Sequence, residues 1–227
     1  PGRRRRRPKR QLAGSGRGEP RAAGDGTYRD TTTVGVRSTG GSGEKRLTKS
    51  AEHQGAQYTE YSEPIWDGDR LVFTIEDGGN VHLYSVAADG SAAPELVVGG
   101  EQAITGYDVV NGTLIYTAST HTTMRELYKG TDGAKLTNVG DTFTAGRELL
   151  EPERFTAVSQ DGYGVDAWVV RPPDFDAATR YPAILTIHGG PFTQYGTGFF
   201  DEVQVMAAGG YGVLLSNPRS EGHTSEI

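Results

Sequence analysis

The feature that most restricts the fold of this chain is a repeat. Leu71-Val72-Phe73-Thr74-Ile75, the turn Asp77-Gly78-Gly79-Asn80 and a second apolar run at 81–86 lead through Asp89-Gly90 to a further run at 95–98. The succession returns at 113–117, 125–129, Asp132-Gly133 and Lys135-Leu136-Thr137. Tyr128 stands 44 residues after Tyr84, and Asp132-Gly133 stands 43 after Asp89-Gly90. Short β-branched and aromatic runs bounded by Gly, Asp and Asn read as strands. Several such strands in a period of about 40–45 residues are the signature of a β-propeller blade. The segment 43–48, ending Leu47-Thr48, matches the Leu136-Thr137 end and is expected to be the last strand of an earlier blade. Asn111-Gly112-Thr113 fits a glycosylation acceptor, but Asn-Gly between strands is more simply a hairpin turn. Two copies and a fragment are too few to close a ring and remove its edges.

Charge divides the chain unevenly. Residues 1–50 carry 14 Lys and Arg against 4 Asp and Glu, whereas the remainder carries 9 against 25. Residues 1–42, rich in Arg, Gly and Pro, show no apolar period and are expected to be disordered or artefactual. Three readings stand for them: a basic nucleic-acid arm, a solvated tail, or an out-of-frame translation of GC-rich DNA. Gly14-Ser15-Gly16-Arg17-Gly18 lacks the strand, helix and Lys of a phosphate loop. The chain has no cysteine, which excludes disulfides and thiolate metal sites and fits the reducing, cytoplasmic compartment expected here. No apolar run reaches the length of a membrane span, and Pro1-Gly2-Arg3 opens no secretory signal. The absence of an initiating Met places the expected true start upstream. The five His residues (53, 82, 121, 188 and 223) have no metal-ligand spacing, so no metal or cofactor is expected.

A different texture begins near 151. Alternating runs at 155–158 and 165–170, joined at Gln160-Asp161-Gly162, predict a hairpin. Arg171-Pro172-Pro173 ends it, and a strand is predicted over 182–187, running into His188-Gly189-Gly190-Pro191. An apolar run bounded by Pro and Gly suits a buried central strand covered on both faces. Glycines just past it let backbone N–H groups approach a ligand with no Cβ in the way, and such a loop supplies an oxyanion-hole donor in α/β-hydrolases. Phe200, Val203 and Met206 predict a helix over 199–208, stopped by Gly209-Gly210. A strand at 213–216 follows, so strand, helix and strand form a parallel crossover.

Asp161-Gly162-Tyr163, Trp168, Arg171-Pro172-Pro173, Tyr181-Pro182, His188-Gly189-Gly190-Pro191 and Ser216-Asn217-Pro218-Arg219 stand in the order of the prolyl oligopeptidase family. The chain resembles its acylaminoacyl-peptidase-like branch over about residues 43–219, most strongly over 154–219. The resemblance implies the last blades of a β-propeller at 43–150 and the N-terminal part of an α/β-hydrolase domain at 151–219. It implies a serine-type peptidase acting on short or N-acylated peptides through an acyl-enzyme. Gly190 takes the role of oxyanion-hole N–H donor, Gly189 permits the turn, and His188 shapes the loop by hydrogen bonding. In the family the triad His lies far downstream.

The 227 residues contain no Gly-x-Ser-x-Gly, so the nucleophile and its triad are expected outside them and the chain by itself is expected to be inactive. In the family Asn-Pro-Arg continues into Gly-Ser, but this chain reads Ser220-Glu221-Gly222-His223 onward. Residues 220–227 resemble a translated sequencing adapter and are expected to be a non-native tail. Phe199 is a candidate for lining a substrate pocket, with core packing as its other use; Trp66 and Trp168 are expected to pack. Two other functions remain in view: a non-catalytic β-propeller binding protein, which the uncovered strand at 213–216 disfavours, and an α/β-hydrolase esterase, which the blade repeat disfavours. Neither a nucleic acid nor a membrane is an expected partner.

Overall fold

The computed structural model describes residues 11–17, 21–22, 28–29, 32–38, 44–48, 63–189, 194–217, 219–220 and 225–226. The repeat becomes two consecutive antiparallel units of four strands. The first holds Ile65–Asp67, Arg70–Asp77, Asn80–Ala87 and Glu95–Val98. The second holds Ala103–Val110, Thr113–Ser119, Glu126–Lys129 and Ala134–Lys135. A parallel pairing of Ala103 with Val81 joins them. Gly78 and Gly79 both have positive φ, as do Asn111 and Gly112, the backbone that two-residue hairpin turns require.

Tyr84 and Tyr128 occupy equivalent places. Tyr84 pairs with Phe73 across the second and third strands of its unit, and Tyr128 pairs with Tyr116 in the same way. The rings stack at 6.5 Å and 5.4 Å respectively.

The apolar run Leu71-Val72-Phe73 is buried because both faces of its strand are covered. Val72, with Val81 and Leu83, packs on Ile104, Leu114, Tyr116 and Ala118 of the second unit. Leu71, Phe73 and Val86 pack on Val34, Val36 and Leu47. Val34 and Val36 belong to a three-stranded sheet of Gln11–Arg17, Thr32–Ser38 and Glu44–Arg46, and Leu47 directly follows its last strand. Thr32–Ser38 and Glu44–Arg46 pair across the expected boundary at 42/43. The alternation of Val34 and Val36 is real strand patterning within a basic, Gly-rich stretch. Leu47 and Leu136 each donate a backbone N–H to the adjoining strand, to Val34 and Leu127. The N–H groups of Val34 and Leu127 donate in return to Thr48 Oγ1 at 2.8 Å and Thr137 Oγ1 at 2.9 Å. The matched Leu-Thr ends thus make the same lock.

Glu126 ties down the exit from the second unit. Its side chain is buried, and its carboxylate accepts hydrogen bonds from Thr137 Oγ1 (2.5 Å), Gly140 N–H (2.7 Å) and Val139 N–H (3.0 Å). The Thr137 hydroxyl, then the Gly140 amide, hold its carboxyl below the ordinary value of 4.5. A depressed carboxyl stabilises the fold above that ordinary value and loses its contribution as pH falls toward the folded value. Glu126→Gln is expected to lower the melting temperature at pH 7 by roughly 5 °C, with the difference from wild type shrinking below pH 4.5. Melting curves across pH check this; a difference that persists unchanged at low pH would contradict it.

A one-turn helix, Asp141–Thr144, leads to the C-terminal sheet. Its strand order is Glu153–Val158, Gly164–Val170, Gly212–Asn217, Ala183–Thr186. Ala183–Thr186 and Gly212–Asn217 are parallel, joined through the helix Asp201–Ala208. Val203 and Ala207 on that helix pack on Trp168, Val170, Val213 and Leu215. Gly210, at φ 92°, ends it in a conformation that glycine adopts freely. The run at 182–187 is expected to be buried and central; among the described residues Ala183–Thr186 is the outermost strand of this sheet, and Leu185 and Ile187 are 58% and 68% exposed.

Candidate active site

The edge strand delivers His188 and Gly189 into a loop whose next residues, Gly190 to Thr193, lie outside the described residues. His188 Nδ1 is 2.8 Å from the carbonyl oxygen of Gly189. A carbonyl only accepts, so Nδ1 carries the proton and the imidazole is the donor. The peptide unit is planar, and its C=O and following N–H point in opposite directions. The imidazole of His188 is the donor that fixes the Gly189 carbonyl. The edge of one ring meets the face of the other between His188 and Tyr195, at 5.2 Å and 71°. His188 Nε2 is buried without a hydrogen-bond partner among the described residues.

The return loop is anchored on two sides. Asn217 Oδ1 accepts from Tyr195 N–H at 2.7 Å, and its Nδ2 donates to the Tyr195 carbonyl at 2.8 Å. Thr197 N–H donates to the Gly79 carbonyl at 2.8 Å, and Thr197 Oγ1 lies 2.6 Å from Asn80 Oδ1. The Asp77-Gly78-Gly79-Asn80 hairpin of the first unit is thereby seated on the C-terminal sheet, with Gly79 against the Trp168 ring. A Cβ at Gly196 would collide with the Gly79 carbonyl. Arg154, paired to Asp166 at 2.9 Å, lies 5.6 Å over the Trp168 ring. Gln204 forms a second tie: its amide exchanges two hydrogen bonds of 2.8 Å with the backbone of Leu150.

Between these anchors lies a cavity of about 280 Å³. Phe199, Tyr195 and Trp168 line it from the C-terminal unit, and Gly79, Val81 and His121 from the blades. Burial pushes the His121 imidazole below its ordinary 6.5, with the Glu151 and Glu101 carboxylates partly offsetting this, so the group is chiefly neutral at pH 7. Phe199 is half-buried and also meets Phe143 edge-on at 6.2 Å. Of the residues singled out in the sequence, His188 and Gly189 adjoin one another and Phe199 stands at the cavity; Gly190 is not described. Tyr195, Thr197, Gln204 and the side-chain role of Asn217 are additions from the structure. Asn217 was visible only as part of Ser216-Asn217-Pro218-Arg219, and the others carried no signal.

No family model matches the chain. Over 172 residues it is 33% identical to an uncharacterized peptidase, YuxL, of Bacillus subtilis (strain 168), a match covering 72% of this chain and 26% of that protein. Over 168 residues it is 28% identical to a probable dipeptidyl-peptidase 5 of Aspergillus niger, covering 67% and 22%. Among solved structures, an acylaminoacyl peptidase in complex with Z-Gly-Gly-Phe-chloromethyl ketone superposes with TM-score 0.71 at 25% identity, over 84% of this chain and 30% of that one. The uncomplexed Pyrococcus horikoshii acylaminoacyl peptidase gives 0.70 at 25% identity, over 84% and 29%. Porphyromonas gingivalis dipeptidyl peptidase 4, at TM-score 0.63 and 16% identity over 88% and 30%, shares the fold. The chain thus spans about a quarter of the length of the curated relatives it matches.

These likenesses are to peptidases, and the two four-stranded units followed by a partly parallel sheet share the fold of the acylaminoacyl peptidase structures. The chain belongs to the prolyl oligopeptidase family of peptidases.

Proposed function

We propose that this chain is the part of a serine-type oligopeptidase that carries the oxyanion loop and the adjoining propeller blades. The enzyme would hydrolyse short or N-acylated peptides through an acyl-enzyme. Gly190 N–H would meet the oxyanion, Gly189 would allow the turn, and His188 would hold the loop. The observation that carries this reading is the His188 imidazole fixed on the Gly189 carbonyl at 2.8 Å, just past a parallel strand. A donor fixed before reaction stabilises the developing charge without reorganising. Phe199 and its aromatic neighbours would receive an apolar substrate side chain in the cavity, and the blades beside it would restrict access to short chains.

The chemistry divides cleanly. These residues supply a donor for the developing alkoxide, while the 227 residues hold no nucleophile of the Gly-x-Ser-x-Gly kind. A fluorophosphonate probe is expected to leave the 227-residue chain unlabelled. In a longer protein that hydrolyses peptides, it is expected to label one serine outside these residues, located by mass spectrometry. A labelled serine within them would overturn the assignment.

A further inference from the structure

Asn217 closes the strand Gly212–Asn217, and nothing in the proposed chemistry uses it. Its carboxamide nevertheless holds both backbone groups of Tyr195, accepting at 2.7 Å and donating at 2.8 Å. A planar amide offers an acceptor and a donor side by side, so Asn217 pairs with Tyr195 as a neighbouring strand would. The two residues are 22 positions apart, and the loop between them contains the helix. Tyr195 is fixed in position by a group that belongs to the rigid sheet.

The consequence passes through the Tyr195 ring. One side of that residue stacks with Phe200 at 6.0 Å, and the ring meets His188 edge-to-face at 5.2 Å. The imidazole has a single polar tether among the described residues, Nδ1 to the Gly189 carbonyl at 2.8 Å, because Nε2 is buried and unpartnered. One hydrogen bond lets an imidazole tilt about it. Packing against a fixed aromatic ring removes that freedom.

We propose that Asn217 is a positioning residue: its clamp on the Tyr195 backbone seats the Tyr195 ring, and that ring holds His188 as the Nδ1–H donor to Gly189. The catalytic consequence rests on the reading of this loop as the oxyanion site, whereas the clamp itself does not. An unclamped Tyr195 would let the imidazole turn, and the Gly189 carbonyl would lose its donor for part of the time. A displacement of this kind near reacting atoms lowers turnover more than ground-state binding.

The test compares wild type with Asn217→Ala and Asn217→Asp in the intact, peptide-hydrolysing protein. The readouts are the ¹⁵N signals of the His188 ring, amide exchange at Tyr195, and kcat and KM. Wild type is expected to show His188 as a single Nδ1–H tautomer. Asn217→Ala is expected to speed Tyr195 amide exchange about tenfold, to average the His188 ring signals between tautomers, and to lower kcat on the order of tenfold with KM retained. Asn217→Asp keeps the acceptor and loses the donor, so it is expected to preserve most Tyr195 protection with an intermediate His188 signature. Should the alanine variant lose its native spectrum, the aspartate variant decides by the same signature. A His188 tautomer unchanged in a variant whose Tyr195 exchange has accelerated would overturn the proposal. A changed tautomer with unchanged kcat would uphold the clamp and remove the oxyanion reading.

Discussion

Replacing Gly190 with proline in the intact peptidase is expected to lower kcat for peptide hydrolysis by about 10²–10³-fold, with KM changed little. Proline has no backbone N–H, so the substitution deletes the proposed donor itself. An oxyanion exists only along the reaction path, and a group that meets it there contributes to turnover without contributing to substrate affinity. Gly190→Ala keeps the N–H and serves as the control, with a smaller loss expected. A KM that rises while kcat holds would assign the loop to ground-state binding. An unchanged kcat would remove Gly190 from the chemistry.

The second large effect is expected at Trp168. Its side chain is 4% exposed and packs with Val170, Val203, Val213 and Leu215, while its far edge receives Gly79 of the blade hairpin. Trp168→Ala is expected to cost about 3–5 kcal/mol, from lost burial and the void it leaves. The damage should extend beyond the C-terminal sheet, because the same indole seats the blade. The Thr197 amide, bonded to the Gly79 carbonyl at 2.8 Å, is the reporter. Denaturation should show the loss of stability, and hydrogen exchange should show faster exchange at Thr197. Thr197 protection that survives the substitution would mean that Asn80 and Thr197 seat the hairpin without the ring. Arg154 over the indole adds little, since its ion pair with Asp166 is partly exposed on both sides.

Local chemistry made much of this arrangement legible in the sequence. The spacing of Tyr84 and Tyr128 marked equivalent places because each stacks on the strand before it. The Leu-Thr ends matched because both close the same pair of hydrogen bonds. The parallel crossover followed from helix-spaced residues between two apolar runs.

What escaped did so for identifiable reasons. Ala103–Val110 shifts register between Ile104 and Gly106, and a bulge moves the apolar residues out of strict alternation. Thr32–Ser38 sits in Arg- and Gly-rich surroundings that hide the alternation of Val34 and Val36. Ala183–Thr186 has the composition of a buried strand, but exposure depends on what covers it, which no short run can specify. Thr197, Gln204 and Asn217 act through side-chain or loop bonds to backbone distant in the chain, and such ties have no period.

The most direct measurement is a crystal structure of the intact protein after reaction with a peptide chloromethyl ketone. The former carbonyl oxygen of the inhibitor is expected about 2.7–3.1 Å from the Gly190 nitrogen, with His188 Nδ1 still on the Gly189 carbonyl. An adduct whose oxygen is held elsewhere, with the His188–Gly190 loop turned away from it, would contradict the central claim.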